Sequence, residues 1–495
     1  MSVSPRQRSD RLTYSSIRIL ADQAFSRAAG APLVAGNRVR LLKDGAENYP
    51  AWLEAIRSAE RTIHFENYIF YEDDVGWQFA EALAAKAREG VRVRVIYDWF
   101  GSLAKASRRF WQSLRRPGAE VRVFNPPRLS SPLGWLSRDH RKMLTVDGRI
   151  GFVTGLCVGR DWVGDRQRGL DPWRDTGIAV HGPAVADIEQ AFAQMWAMLG
   201  ESIPAQDLPP RDAIPLAGDV RLRVIPTQPN TAGLYRLDQL IAAVARRTLW
   251  VTDAYFVGTT SYVQALRAAA LDGVDVRLLV PGSSDIALVR PLSRAGYRPL
   301  LEAGVRVFEW NGPMLHAKTA VADGRWGRVG STNLNVASWM GNWELDVAVE
   351  DEPFAEAMEQ MYIEDLTHST EIVLSAKQRV YPSHLIPTPP HPHLRGGRGS
   401  ARRATAGIIS IGNTVGAALT NRRELGPAEA KVMVSVGIVL IVLAVVIALW
   451  PWVMAIPLAA LGVWVAISLL IRAYQLHVQA QHDKNSSPPT PFTPP

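Results

Sequence analysis

Two stretches of this chain carry one chemistry-bearing pattern. Residues 139–155, DHRKMLTVDGRIGFVTG, hold His140, Lys142 and Asp147, and residues 315–333, LHAKTAVADGRWGRVGSTN, hold His316, Lys318 and Asp323 at the same intervals, 176 residues further on. A single His-x-Lys-x4-Asp is a weak signal, because a histidine can be a satisfied core residue and a lysine a solvated one. Two copies in equivalent places of a duplicated chain can converge on one centre. Two histidines and two lysines suit a phosphodiester. One neutral imidazole can attack phosphorus and divide a hard displacement into two easier ones. The other, protonated, can donate to the leaving oxygen and later take a proton from an incoming alcohol. Lys142 and Lys318 would stabilise charge on the phosphoryl oxygens, with no metal required. Ser331 and Asn333 would add hydrogen bonds there. Each imidazole also needs an acceptor for its other nitrogen, and Asp175 in PWRDTGIAVH and Glu344 in GNWELDVAVE stand in matching places to supply it.

The elements that position these residues repeat as well. FENYIFYEDDVGWQFAEALAAKAREGVRVRVIYD (65–98) and TDAYFVGTTSYVQALRAAALDGVDVRLLVP (252–281) each read as strand, loop, amphipathic helix and strand. The helices should stop near Gly90 and Gly273, since a C-terminal cap favours glycine. GAEVRVFN (118–125) and AGVRVFEW (303–310) read as strands leading toward each histidine, and a short strand after each aspartate should end at Gly155 or Gly330. Alternate residues of a strand share a face, so each histidine should project beside its lysine. Alternating apolar strands and helices predict α/β halves around mostly buried sheets. The expected fold is two similar halves packed face to face around one shared active site.

At this point the chain resembles the phospholipase D superfamily, whose signature is a doubled His-x-Lys-x4-Asp followed by Gly-Ser-x-Asn. Within it, the resemblance is to bacterial cardiolipin synthases, on LLKDGAENYPAWLEAIRSAERTIHFENYIF, AREGVRVRVIYDWFGS, WRDTGIAVHGPAV and GSTNLNVAS, over about Asn37 to Pro382. The resemblance implies a phosphohistidine intermediate, with His140 the nucleophile and His316 the acid–base partner. It implies that Asp147 and Asp323 brace structure more than they touch substrate. One departure is visible. The second half has Gly330-Ser331-Thr332-Asn333, whereas the first has Thr154-Gly155-Leu156-Cys157, which leaves Thr154, Gly155 and backbone N–H groups to make the phosphate contacts on that side.

Composition frames the rest. The chain has 495 residues, 21% charged and 47% hydrophobic, and a formal charge of +8. That balance fits an anionic partner, lipid or nucleic acid. Cys157 is the only cysteine, which excludes an intrachain disulfide and a multi-cysteine zinc site. The expected organisation is a basic segment over 1–36, the first half over 37–210 and the second over 211–385. A Pro/Gly/Arg-rich linker follows over 386–431, then a transmembrane hairpin over 432–471 and a disordered tail over 472–495. VMVSVGIVLIVLAVVIALW and WVMAIPLAALGVWVAISLLI are uncharged and each long enough to cross a bilayer. The basic N-terminus has no continuous apolar core and reads as no signal peptide. Arg422, Arg423 and Lys431 before the hairpin, with Arg472 and Lys484 after it, put both ends on the cytoplasmic side of a bacterial inner membrane. The resulting expectation is a membrane-anchored phosphatidyltransferase making cardiolipin from phosphatidylglycerol and a second phospholipid. No cofactor, metal or nucleic-acid partner is expected. A hydrolytic phospholipase D, a nucleic-acid phosphodiesterase and a non-catalytic membrane scaffold are the alternatives.

Overall fold

The computed structural model describes residues 22–127, 137–283, 289–374 and 380–382, with scattered residues between 438 and 474. The first half contributes β1 (Val34–Lys43), β2 (Thr62–Asn67), β3 (Arg92–Asp98), β4 (Glu120–Phe124), β5 (Lys142–Val146), β6 (Ile150–Thr154) and β7 (Thr176–His181). The second contributes β8 (Val220–Thr227), β9 (Thr248–Thr252), β10 (Asp275–Pro281), β11 (Arg306–Trp310), β12 (Thr319–Ala322), β13 (Trp326–Gly330) and β14 (Glu344–Glu350), extended by β15 (Ser369–Leu374) and β16 (Val380–Pro382). The hydrogen-bonded order is β4-β3-β2-β5-β6-β7-β1-β8-β14-β13-β12-β9-β10-β11-β15-β16. Reading outward from the β1–β8 junction, the same seven-strand order occurs on both sides. The pairing senses match too: β2-β3-β4 and β9-β10-β11 are parallel, and the strands between them and the junction are antiparallel. The duplication read from the sequence is therefore a duplication of topology.

Local chemistry sets these elements. β2 is buried on both faces, as an inner strand covered by helices should be. The helix after it, Asp74–Arg88, starts where Asp73 accepts a hydrogen bond from Gly76 N at 2.9 Å. It stops at Gly90, which has φ +89°. Its counterpart, Thr260–Leu271, starts on a Thr259 cap and stops at Gly273, φ +90°. Both glycines take the left-handed conformation that a helix end requires and a side chain resists.

Three hydrophobic layers result. One, with Trp52, Phe65, Phe79 and Trp162, belongs to the first half. Another, with Leu234, Leu266, Leu300 and Trp339, belongs to the second and also takes in Ala29 and Ala31. The third is shared: Ile188, Phe192 and Trp196 from the helix Val185–Met198 lie with Phe354, Met358 and Tyr362 from the helix Glu352–Thr367 and with strand residues of both halves. This common layer holds the two halves together.

Two expectations need comment. The histidines are not on the strands that carry their motifs, because β5 begins at Lys142 and β12 at Thr319. Each histidine lies in the extended segment just before its strand, for a reason given below. The linker, most of the hairpin and nearly all of the tail lie outside the described residues, as do residues 1–21. Among the described residues no helix is long and apolar enough to cross a membrane. Those described between 438 and 474 are helical and carry exposed apolar side chains, including Ile441, Leu449 and Trp452.

Candidate active site

The segment before each histidine pairs with the other half. His140 N donates to Trp343 O at 2.8 Å and Trp343 N to Arg138 O at 2.8 Å. In mirror fashion, His316 N donates to Arg174 O at 2.7 Å and Arg174 N to Met314 O at 2.9 Å. These are parallel bridges, Asp139 with Trp343 and Leu315 with Arg174. Residue 343 is followed by Glu344 and residue 174 by Asp175, so each bridge delivers a carboxylate to the opposite histidine. His140 Nδ1 lies 2.7 Å from Glu344 Oε2, and His316 Nδ1 lies 2.7 Å from Asp175 Oδ2. All four side chains are buried. The two carboxylates singled out in the sequence thus lie against the imidazoles, each crossed to the other half. The carboxylate at Nδ1 fixes the orientation of each imidazole ring.

The lysines sit beside them. Lys142 Nζ donates to His140 O at 2.6 Å, and Lys318 Nζ donates to His316 O. Each also faces an aromatic ring, Lys142 over Tyr68 and Lys318 over Tyr255, and the same rings meet His140 and His316 edge-on. Tyr68 and Tyr255 were missed in the sequence, although ENYIF and DAYFV place them at matching points of the duplicated strands.

The electrostatics differ between the two pairs. Burial pushes Glu344 up to about 7, against the opposing pull of Lys142 and a hydrogen bond from Ser331. His316 is pushed down to about 3 by burial and then by Lys318, with Lys142 contributing. Asp175 is equally buried, yet His316, Lys318 and the Trp162 N–H hold it below the usual carboxylate value. The crossed contacts bring each motif's histidine against a carboxylate of the other half. Beside His140, burial raises both Glu66, to about 7, and Asp139, and the charge of each carboxylate disfavours the other's.

The remaining predicted residues divide by position. Ser331 Oγ accepts from Leu345 N at 3.0 Å and donates to Glu344 Oε2 at 2.6 Å, so it braces a carboxylate. Asn333 is buried, and its Oδ1 has no hydrogen-bond partner. Thr154 Oγ1 donates to Thr176 O at 3.3 Å and accepts from Leu156 N at 3.0 Å, inside its own half. Gly155 lies against Asp175, and a Cβ there would overlap Asp175 Oδ1. Cys157 is buried, with its carbonyl taking the Tyr49 O–H at 2.5 Å. The motif aspartates are remote from the imidazoles. Asp147 accepts from the N–H groups of Glu60, Arg61 and Thr62, and Asp323 from those of Arg246, Arg247 and Thr248. Both have positive φ, 55° and 54°. Among the described residues no group of three or more His, Cys, Asp or Glu side chains is placed to hold a metal ion.

Comparison with known proteins agrees with this geometry. Residues 52–196 and 238–366 match the family described as "Cardiolipin synthase, PLD-like domain", one segment in each half. Cardiolipin synthase A of Pseudomonas fluorescens is 35% identical over 369 residues, 72% of this chain and 74% of its own length. Cardiolipin synthase of Alkalihalophilus pseudofirmus is 34% identical over 362 residues, 72% and 71% of the two chains. Among solved structures, phosphatidylserine synthase of Haemophilus influenzae shares the fold, with a TM-score of 0.57 and 15% identity over 70% of this chain and 91% of its own. The chain is an enzyme of the phospholipase D superfamily and belongs to its cardiolipin synthase family.

Proposed function

We propose that this enzyme transfers a phosphatidyl group to the headgroup hydroxyl of phosphatidylglycerol, making cardiolipin through a phosphohistidine intermediate. The observation that carries the reading is the crossed pair of buried histidine–carboxylate contacts flanked by two lysines. His140 attacks phosphorus through Nε2 while Nδ1–H is held by Glu344. A carboxylate with a pKa near 7 is a strong acceptor for the cationic ring formed by attack. The P–O bond to the leaving headgroup breaks, and its oxygen takes a proton from His316. Burial and the neighbouring lysines disfavour charge on His316. A phosphodiester anion between Lys142 and Lys318 offsets that charge and lets His316 hold the proton it must give. The acceptor hydroxyl then returns a proton to His316 and attacks phosphorus, breaking the P–N bond. Asn333 and the lysines would hold the phosphoryl oxygens, and Asp147 and Asp323 the turns behind the strands.

Membrane anchoring through residues 432–471 belongs to the same proposal, as does a cytoplasmic face for the catalytic halves. It is supported by two uncharged stretches of spanning length with basic residues on both flanks. The test is lipid analysis of bacterial cells lacking their own cardiolipin synthases and expressing this chain. Cardiolipin should return. Accumulation of phosphatidic acid without cardiolipin would instead identify a hydrolytic phospholipase D.

A further inference from the structure

The two histidine–carboxylate pairs are braced differently. In the His140 pair, the carboxylate oxygen that faces the imidazole, Glu344 Oε2, takes a second hydrogen bond from Ser331 at 2.6 Å. In the His316 pair, the place of Ser331 is held by Gly155, and Asp175 presses so closely on it that no Cβ fits. A serine cannot stand there. Yet the corresponding oxygen, Asp175 Oδ2, also takes a second bond, from Trp162 Nε1 at 2.9 Å.

We infer that Trp162 is a positioning residue for catalysis, supplying through its indole N–H the brace on Asp175 that Ser331 supplies to Glu344. This inference rests on the functional reading above. The indole is fixed on several sides. It is buried to 1% exposure, its ring meets His316 edge-on at 5.6 Å, and it packs on Trp173 at 4.9 Å. Its short helical turn, Arg160–Trp162, is tied down by Arg160 N donating to Asp73 Oδ2 at 2.8 Å. The helix Asp44–Ser58 approaches so closely that a Cβ on Gly45 would overlap Trp162 O. An apolar ring of that size would fill the space equally well. The N–H aimed at the catalytic carboxylate is what packing alone does not require. Asp175 is faced also by His316 and Lys318 of the second half, with Lys142 acting on His316. Asp44 takes its N–H and Arg174 its carbonyl.

The test compares the full chain with Trp162→Phe, which keeps an aromatic ring and removes the donor, and with Trp162→Met in case the first variant folds poorly. Turnover is read on phosphatidylglycerol vesicles. Without the N–H, Asp175 becomes easier to protonate, so the lower acid step of the rate profile, beneath the one set by Glu344, should move to higher pH by about one unit. At neutral pH kcat should fall about tenfold with KM unchanged. An unmoved lower step, whatever the variants' stability, would make Trp162 a packing residue and overturn the inference. A second readout needs no turnover. In protein labelled with 15N-indole tryptophan, the Trp162 N–H signal, assigned by its loss in the variants, should lie downfield and move upfield in Asp175→Asn. A signal indifferent to Asp175 also overturns the inference, even if the lipid reaction proves to be something else.

Discussion

Each imidazole draws its Nδ1 partner from the opposite half, and this fixes the orientation of the ring. The arrangement makes Ser331 a sensitive probe. Its O–H holds Glu344 below where burial alone would put it. Ser331→Ala should therefore raise the Glu344 pKa further, moving the acid limb of activity upward from about 7. One hydrogen bond to a charged group contributes about 1.5–3 kcal/mol, so kcat should fall roughly tenfold or more. A pH–rate profile checks both; an unchanged limb would separate Ser331 from Glu344. The sequence nominated Ser331, Glu344 and Asp175 for the site. It did not show the crossing, because the bridges of Asp139 to Trp343 and Leu315 to Arg174 join segments far apart in the chain, and no local spacing encodes them. Trp162 stayed hidden for a related reason: its indole N–H reaches Asp175 from 13 residues away in the chain, outside the motif that the two halves share.

At the scale of elements, the motif aspartates close the turns that feed the strands. Asp147 satisfies three consecutive backbone N–H groups ahead of β2 while its own φ is 55°. Asp147→Ala removes all three acceptor contacts and places alanine in a left-handed conformation. It should cost about 2–4 kcal/mol of unfolding free energy in denaturant titration. Asp147→Asn keeps an acceptor and tolerates that conformation, so its cost should be smaller. Loss of turnover in Asp147→Ala with stability intact would instead make this aspartate part of the chemistry. The elements themselves were largely legible. The helix ends at Gly90 and Gly273, and the paired strands after each aspartate, follow from glycine chemistry and apolar alternation. The start of β5 at Lys142 rather than before His140 was not, because strand-like residues there bridge to the other half instead of extending the ladder.

For the whole molecule, duplication explains why one pattern is needed twice. Seven strands recur in the same order on either side of β1 and β8, and the shared layer built on the helices Val185–Met198 and Glu352–Thr367 locks the halves together. A site that takes an imidazole and a carboxylate from each half has no function in either half alone. Residues 432–471 contribute none of the site residues, so a chain ending before Val432 should leave the membrane fraction and still turn over detergent-dispersed phosphatidylglycerol. Fractionation with an activity assay checks both parts. A truncated chain that stays membrane-bound would place the anchor elsewhere.

The single shared site is tested most directly by replacing one histidine at a time in folded full-length protein. His140→Ala and His316→Ala should each abolish turnover of phosphatidylglycerol, because each removes one role in a two-step transfer. With a substrate whose leaving group needs no proton, His316→Ala should still trap a phosphatidyl adduct, and mass spectrometry should place it on His140. A substantial residual rate in both single variants would mean two independent sites and contradict the account.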